Sequence, residues 1–139
     1  SYLSLVRPDI PVSTREAFAL IKPHYPEFNC KEVVQLPVEE WRGKLTNDFE
    51  DSVFAVHPEL GAVKDRLYQL GATYAAMSGS GSTLFALSKQ PLNLDEFAQE
   101  GTFITTISMM VMNYKLQTTT TPHPTPTLPT QGILSSLRK

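Results

Sequence analysis

The stretch AAMSGSGSTLFAL, residues 75–87, sets two apolar runs on either side of five alternating residues, Ser78-Gly79-Ser80-Gly81-Ser82. The flanks TYAAM (73–77) and STLFALS (82–88) are short and apolar and are joined by small turn-forming residues, the pattern of two strands in a hairpin. Glycine reaches positive φ freely, so two glycines spaced two apart let the loop turn its backbone amides inward as a concave set of donors for an anion. A plain flexible connection is the competing reading. No Gly-Lys-Ser or Gly-Lys-Thr follows, and the next element is a strand, which excludes a Walker loop and a dinucleotide-binding fingerprint.

Working outward, YLSLVRP at the start reads as a strand ended by Pro8 and Pro11. VSTREAFALIK then carries a helix signal: Ser13 or Thr14 as cap, Glu16 in the first turn, and Ala17, Phe18, Leu20 and Ile21 as the apolar face. PHYPEFN is a turn. A helical stretch is expected from Lys31 to about Leu45, broken at Pro37, with Val33, Val34, Leu36, Val38, Trp41 and Leu45 towards the core.

Two more helices follow. The first is capped by Thr46 or Asn47 and lined by Phe49, Val53 and Val56. The second opens near Pro58, repeats Leu60, Val63, Leu67 and Leu70 at spacings of three and four, and stops at Gly71. Beyond the hairpin, LNLDEFAQEG predicts a short helix ending at Gly101. TFITTISMMVMNY, rich in β-branched residues, predicts a last strand. The order strand, helices, strand pair, helix, strand specifies an α+β domain: a small, mostly antiparallel sheet with helices on one face.

At 139 residues and 41% hydrophobic, the chain has material for one core. We place a domain at residues 1–112 and a Thr/Pro-rich tail, expected to be disordered, at 113–139. TTTTPHPTPTLPT holds four of the 11 prolines, no charge and almost nothing to bury. A net charge of −2 gives no footprint for nucleic acid or an anionic membrane. No run approaches the ~18 apolar residues of a membrane span, and no signal peptide is expected. The single cysteine, Cys30, is read as inert and fits a reducing, cytoplasmic setting. The chain opens Ser-Tyr-Leu-Ser-Leu-Val directly into a strand, which reads as the interior of a longer protein.

His24, His57 and His123 form no metal-like spacing, and surface roles are assigned to them; no metal site is expected. Asp48, Glu50 and Asp51 resemble a carboxylate group, but acidic residues in a first helical turn are favourable for dipole reasons, so their role is read as structural.

Three ordered motifs carry a family resemblance: Asn47-Asp48-Phe49-Glu50, His57-Pro58-Glu59-Leu60, and GATYAAMSGSGST at 71–83. With the upstream VRPDIPVSTREAF, they make about residues 2–108 similar to the carboxy-terminal half of the GHMP kinase superfamily, and narrowly to its branch acting on a cytidine-diphosphate-linked methylerythritol. The resemblance implies a ferredoxin-like carboxy-terminal domain. It makes Ser78, Gly79, Ser80, Gly81 and Ser82 the glycine-rich loop that closes the active site. It places Thr14 and Phe18 at the cytidine end of the substrate pocket, where an aromatic stacked on a base contributes about 1–3 kcal/mol. Taken alone, Phe18 would be read as core packing.

The family's phosphate-cradling motif and its catalytic aspartate and lysine lie in the amino-terminal half, and nothing here matches them. No catalytic residue is therefore assigned to this chain. ATP and Mg2+ are the implied cofactors of the full-length enzyme, neither expected to bind tightly here. The implied partners are the amino-terminal domain and the small-molecule substrate, with self-association of the isolated domain expected. Two alternatives stand beside this reading: a superfamily kinase for mevalonate, a homoserine-like alcohol or a sugar, and a non-catalytic ligand-binding or interaction domain of the same fold.

Overall fold

Four strands build the sheet in the order β2-β3-β1-β4: β1 (Tyr2–Arg7), β2 (Tyr74–Met77), β3 (Leu84–Ser88) and β4 (Phe103–Ser108). The computed structural model describes residues 1–21 and 27–109. Ser1–Ile107 is one compact unit; of the second, Ser108–Lys139, only Ser108 and Met109 are among the described residues. The expected tail, His24 and His123 lie outside them.

β3 pairs antiparallel with β1 (Leu5↔Phe85, Val6↔Leu84) and with β2 (Ala75↔Ala86, Met77↔Leu84). Opposed residues share a face, so Val6, Ala75, Met77, Leu84 and Ala86 form one apolar surface, and each is almost wholly buried. Helices α3 (Phe49–Val56) and α4 (Pro58–Gln69) cover it through Val53, Leu60 and Leu67. Leu60 and Leu67 are fully buried, and cutting either to alanine would cost about 2–5 kcal/mol. Helix α1 (Thr14–Leu20) packs on α3 and adds Ala17 to the same core.

Local chemistry sets the helix ends. Ser13 caps α1, its Oγ accepting from Glu16 N at 3.3 Å. Pro58 takes the first turn of α4, where its missing N–H is not needed. Gly71, at φ +118°, lets the chain leave α4, and the Ala72 amide returns to Leu67 O at 3.0 Å.

The expected helix from Lys31 to Leu45 is not there. The chain makes only the four-residue α2 (Cys30–Val33) and a 3-10 turn at Val38–Glu40. Pro37 offers no N–H and disfavours helix in the residue before it, and a single turn gains too little to propagate. Val33 is buried, whereas Val34 and Leu36 are exposed. The segment instead packs on the other side of β2. Tyr74 donates to Leu45 O at 2.7 Å and meets Trp41 edge-on at 5.6 Å, while Trp41 donates to Leu36 O at 2.9 Å.

Two smaller expectations also change. The helix expected in LNLDEFAQEG is one 3-10 turn, Asp95–Phe97, preceded by a local turn in which the Asn93 side chain accepts from the Asp95 amide at 3.0 Å. Leu92 and Leu94 still reach the core. Val56, expected to line the buried side of α3, is exposed.

Candidate functional site

The Ser-Gly loop is a structured turn. Ser78 N–H donates to Thr83 O at 2.8 Å, and Gly81 N–H donates back to Ser78 O at 3.1 Å. Gly79 lies at φ +56° and Gly81 at φ +93°, so both glycines occupy the left-handed region that side chains rarely adopt. Their surroundings differ. A Cβ on Gly79 would meet nothing within 4 Å; on Gly81 it would stand 2.9 Å from Met77 Sδ and 3.6 Å from Val12. Ser82 Oγ reaches Pro8 O at 3.3 Å, tying the loop to the segment that leads into α1.

A second contact path runs from the loop through α3. Asn47 Nδ2 donates to Met77 O and to Gly79 O, each at 2.7 Å, while its Oδ1 accepts from Phe49 N–H at 2.9 Å. Phe49 in turn carries Phe18 edge-on, ring centroids 4.9 Å apart. Phe18 is 59% exposed, so the core-packing reading of this residue does not hold. Thr14 lies one helical turn earlier on the same side of α1 and is also exposed, while Ala17, at the margin of that side, is buried. The fold thus links the glycine loop, the α1 lead-in and the exposed Thr14–Phe18 stripe.

Asn47 and Glu50, expected from sequence as a helix cap and a first-turn carboxylate and as members of a family motif, each do more than that here. Glu50 is in fact buried: its Oε2 accepts from Met77 N–H at 2.8 Å and its Oε1 pairs with Lys64 Nζ at 2.6 Å. A charged residue three positions ahead of Val53, on the buried side of α3, was the available signal. Lys64 is fourteen residues away and shows in no local pattern.

The remaining candidates do not converge. His57 sits at the α3–α4 junction, half-buried, with Nδ1 3.7 Å from Glu59 and Nε2 unpartnered. Cys30 is exposed. Among the described residues, no group of three or more His, Cys, Asp or Glu is placed to hold a metal ion, and no helix is long and apolar enough to cross a membrane.

Residues 34–102 match the family described as GHMP kinases C terminal, and the chain has that carboxy-terminal fold, as its motifs led us to expect. Two of its curated relatives carry the same name. It is 52% identical over 95 residues to the 4-diphosphocytidyl-2-C-methyl-D-erythritol kinase of Parabacteroides distasonis, which covers 68% of this chain and 35% of the relative. The protein of the same name from Porphyromonas gingivalis is 48% identical over 99 residues, 70% of this chain and 36% of that one. The crystal structure of 4-(cytidine 5'-diphospho)-2C-methyl-D-erythritol kinase superposes at a TM-score of 0.55 over 76% of this chain and 42% of that chain, at 24% identity, and shares the fold. The chain spans about a third of the length of the curated relatives it matches.

Proposed function

We propose that this chain is the carboxy-terminal domain of an ATP-dependent kinase that phosphorylates a hydroxyl of 4-diphosphocytidyl-2-C-methyl-D-erythritol on the non-mevalonate route to isoprenoid precursors, in the cytoplasm. The observation that carries the reading is the 52% identity over 95 residues to a protein of that name. In this reading a catalytic partner domain lies amino-terminal to this chain, this domain runs to about residue 112, and a tail lies beyond it.

In this reading Phe18 offers an aromatic face to the cytosine ring and Thr14 a hydroxyl beside it. The exposure of both supports that role, since a solvent-facing phenylalanine held by a second ring is available for stacking. The Ser78–Ser82 loop closes over the phosphates, its glycines permitting close backbone approach. Phosphoryl transfer depends on positioning and on stabilising charge, and this domain contributes to both. ATP with Mg2+ supplies the phosphoryl group. No described residue here is given a role towards the metal, and catalytic chemistry is assigned to the amino-terminal partner.

The test is steady-state kinetics of the full-length protein with Phe18→Ala. Loss of one stacking partner should raise KM for the cytidine substrate about tenfold, with KM for ATP little changed. An unchanged KM for the cytidine substrate would remove Phe18 from the pocket.

A further inference from the structure

We propose that Asn47, backed by the Glu50–Lys64 ion pair, is the positioning residue that sets the Ser-Gly loop for phosphoryl transfer, a role that rests on the kinase reading above. Met77 is the last residue of β2, the edge strand of the sheet, and the loop springs from it. An edge strand presents backbone groups that no neighbouring strand pairs. Here two side chains from the start of α3 take that place. Glu50 accepts the Met77 N–H, and Asn47 donates to the Met77 carbonyl.

Asn47 then reaches further. The second proton of its Nδ2 goes to Gly79 O, inside the loop. One amide group therefore grips the strand end and the first left-handed glycine together, fixing the peptide that precedes Ser80. Its Oδ1 is meanwhile held by Phe49 N–H, so the group cannot rotate without breaking all three bonds. Behind it, the Glu50 carboxylate is fixed by Lys64 at 2.6 Å and is 11% exposed, which keeps the grip on Met77 N–H from being exchanged for water. Asparagine is the residue this needs: two donors for two carbonyls and one acceptor for the helix start. The Phe49 ring, next along the chain from this clamp, carries Phe18. The same few residues thus relate the phosphate loop to the proposed base-stacking face.

A helix-capping role and a loop-setting role predict different outcomes for Asn47→Asp. Aspartate keeps the acceptor for Phe49 N–H but has no donor for either carbonyl and sets negative charge against both. Asn47→Ser likewise preserves a helix-start acceptor while being too short to bridge the two carbonyls, and it serves if the aspartate variant folds poorly. In this chain, amide hydrogen exchange at residues 79–82 should rise about tenfold in either variant, with exchange at Ala86 in β3 changed less than about twofold. In the full-length protein, assayed with ATP and the cytidine substrate, kcat should fall about tenfold while KM for the cytidine substrate stays within about twofold. Glu50→Gln, which keeps an acceptor for Met77 N–H, should lose less. Unchanged exchange in the loop, or a rise of equal size across β2 and β3, would overturn the proposal, as would loss of kcat with no loosening of the loop. If the unaltered full-length protein phosphorylates nothing, the kinase reading fails, and the exchange measurement by itself decides whether Asn47 sets the loop.

Discussion

Phe18 meets Phe49 edge-on, ring planes at 87° and centroids 4.9 Å apart, with more than half of Phe18 open to solvent. Phe49 is the anchored member, packed against the core cluster, and Phe18 is the presented one. We expect Phe18→Ala to cost only about 0.5–1.5 kcal/mol, the value of an aromatic pair, and Phe49→Ala about 3 kcal/mol. Urea midpoints for the two variants of this chain check it. Equal losses would mean that Phe18 serves the core after all.

Tyr74 makes stability fall at alkaline pH. Burial pushes its phenol well above the ordinary tyrosine value, with the nearby Tyr68 and Glu50 acting in the same direction. Below the ordinary value of about 10, folded and unfolded chains both hold the proton and the full stability is present. Above it the unfolded chain ionises while the folded one does not, so stability drops as pH rises towards the folded value. Tyr74→Phe should flatten this fall, at a cost near neutrality of about 1 kcal/mol for the lost bond to Leu45 O. Thermal midpoints through the alkaline range decide it; parallel curves for the two proteins would assign the effect to another group.

The two loop glycines should separate stability from turnover. From sequence, valine at either position is expected to lower turnover and spare the fold, and the geometry restricts that expectation to Gly79. At Gly79 a side chain has room and faces only the strain of φ +56°, about 1–2 kcal/mol. At Gly81 it must displace the buried Met77, so the fold suffers as well, by about 1–3 kcal/mol. We expect Gly79→Val in the full-length protein to lose turnover with its thermal midpoint nearly intact. Near-normal turnover in that variant would leave the loop as a connection and nothing more.

Phe18, Phe28, Val34, Leu36, Val56, Phe103 and Ile107 are all exposed in this chain, and a face that meets another domain leaves such residues open once that domain is absent. We expect the isolated chain to self-associate as its concentration rises. Light scattering checks this, and a monodisperse monomer throughout the range would count against it.

How much of this was legible depended on the physical range of each signal. The four strands and helices α1, α3 and α4 follow from periodicity and end signals that act within a few residues; the last strand, expected over 102–114, is found at Phe103–Ser108, and the expected stretch from 110 on lies outside the described residues. The segment from Lys31 to Leu45 was misread because Pro37 left its two halves too short to hold a helix, and its real partner, Tyr74, is remote in sequence. The glycine loop announced itself by composition, and Thr14 and Phe18 by family resemblance. Asn47 and Glu50 stand out in the sequence as helix-start residues and as members of a family motif, but their second role is hidden there, because the bonds that give it cross about thirty residues, to Met77 and Gly79. Local pattern has no reach at that distance.

The most direct test is ATP-dependent phosphorylation of 4-diphosphocytidyl-2-C-methyl-D-erythritol, measured side by side for the full-length protein and for this chain alone. The full-length protein is expected to form the phosphorylated product with ATP and Mg2+, and this chain alone to form none. No product from the full-length protein, or product from the chain by itself, would contradict the assignment.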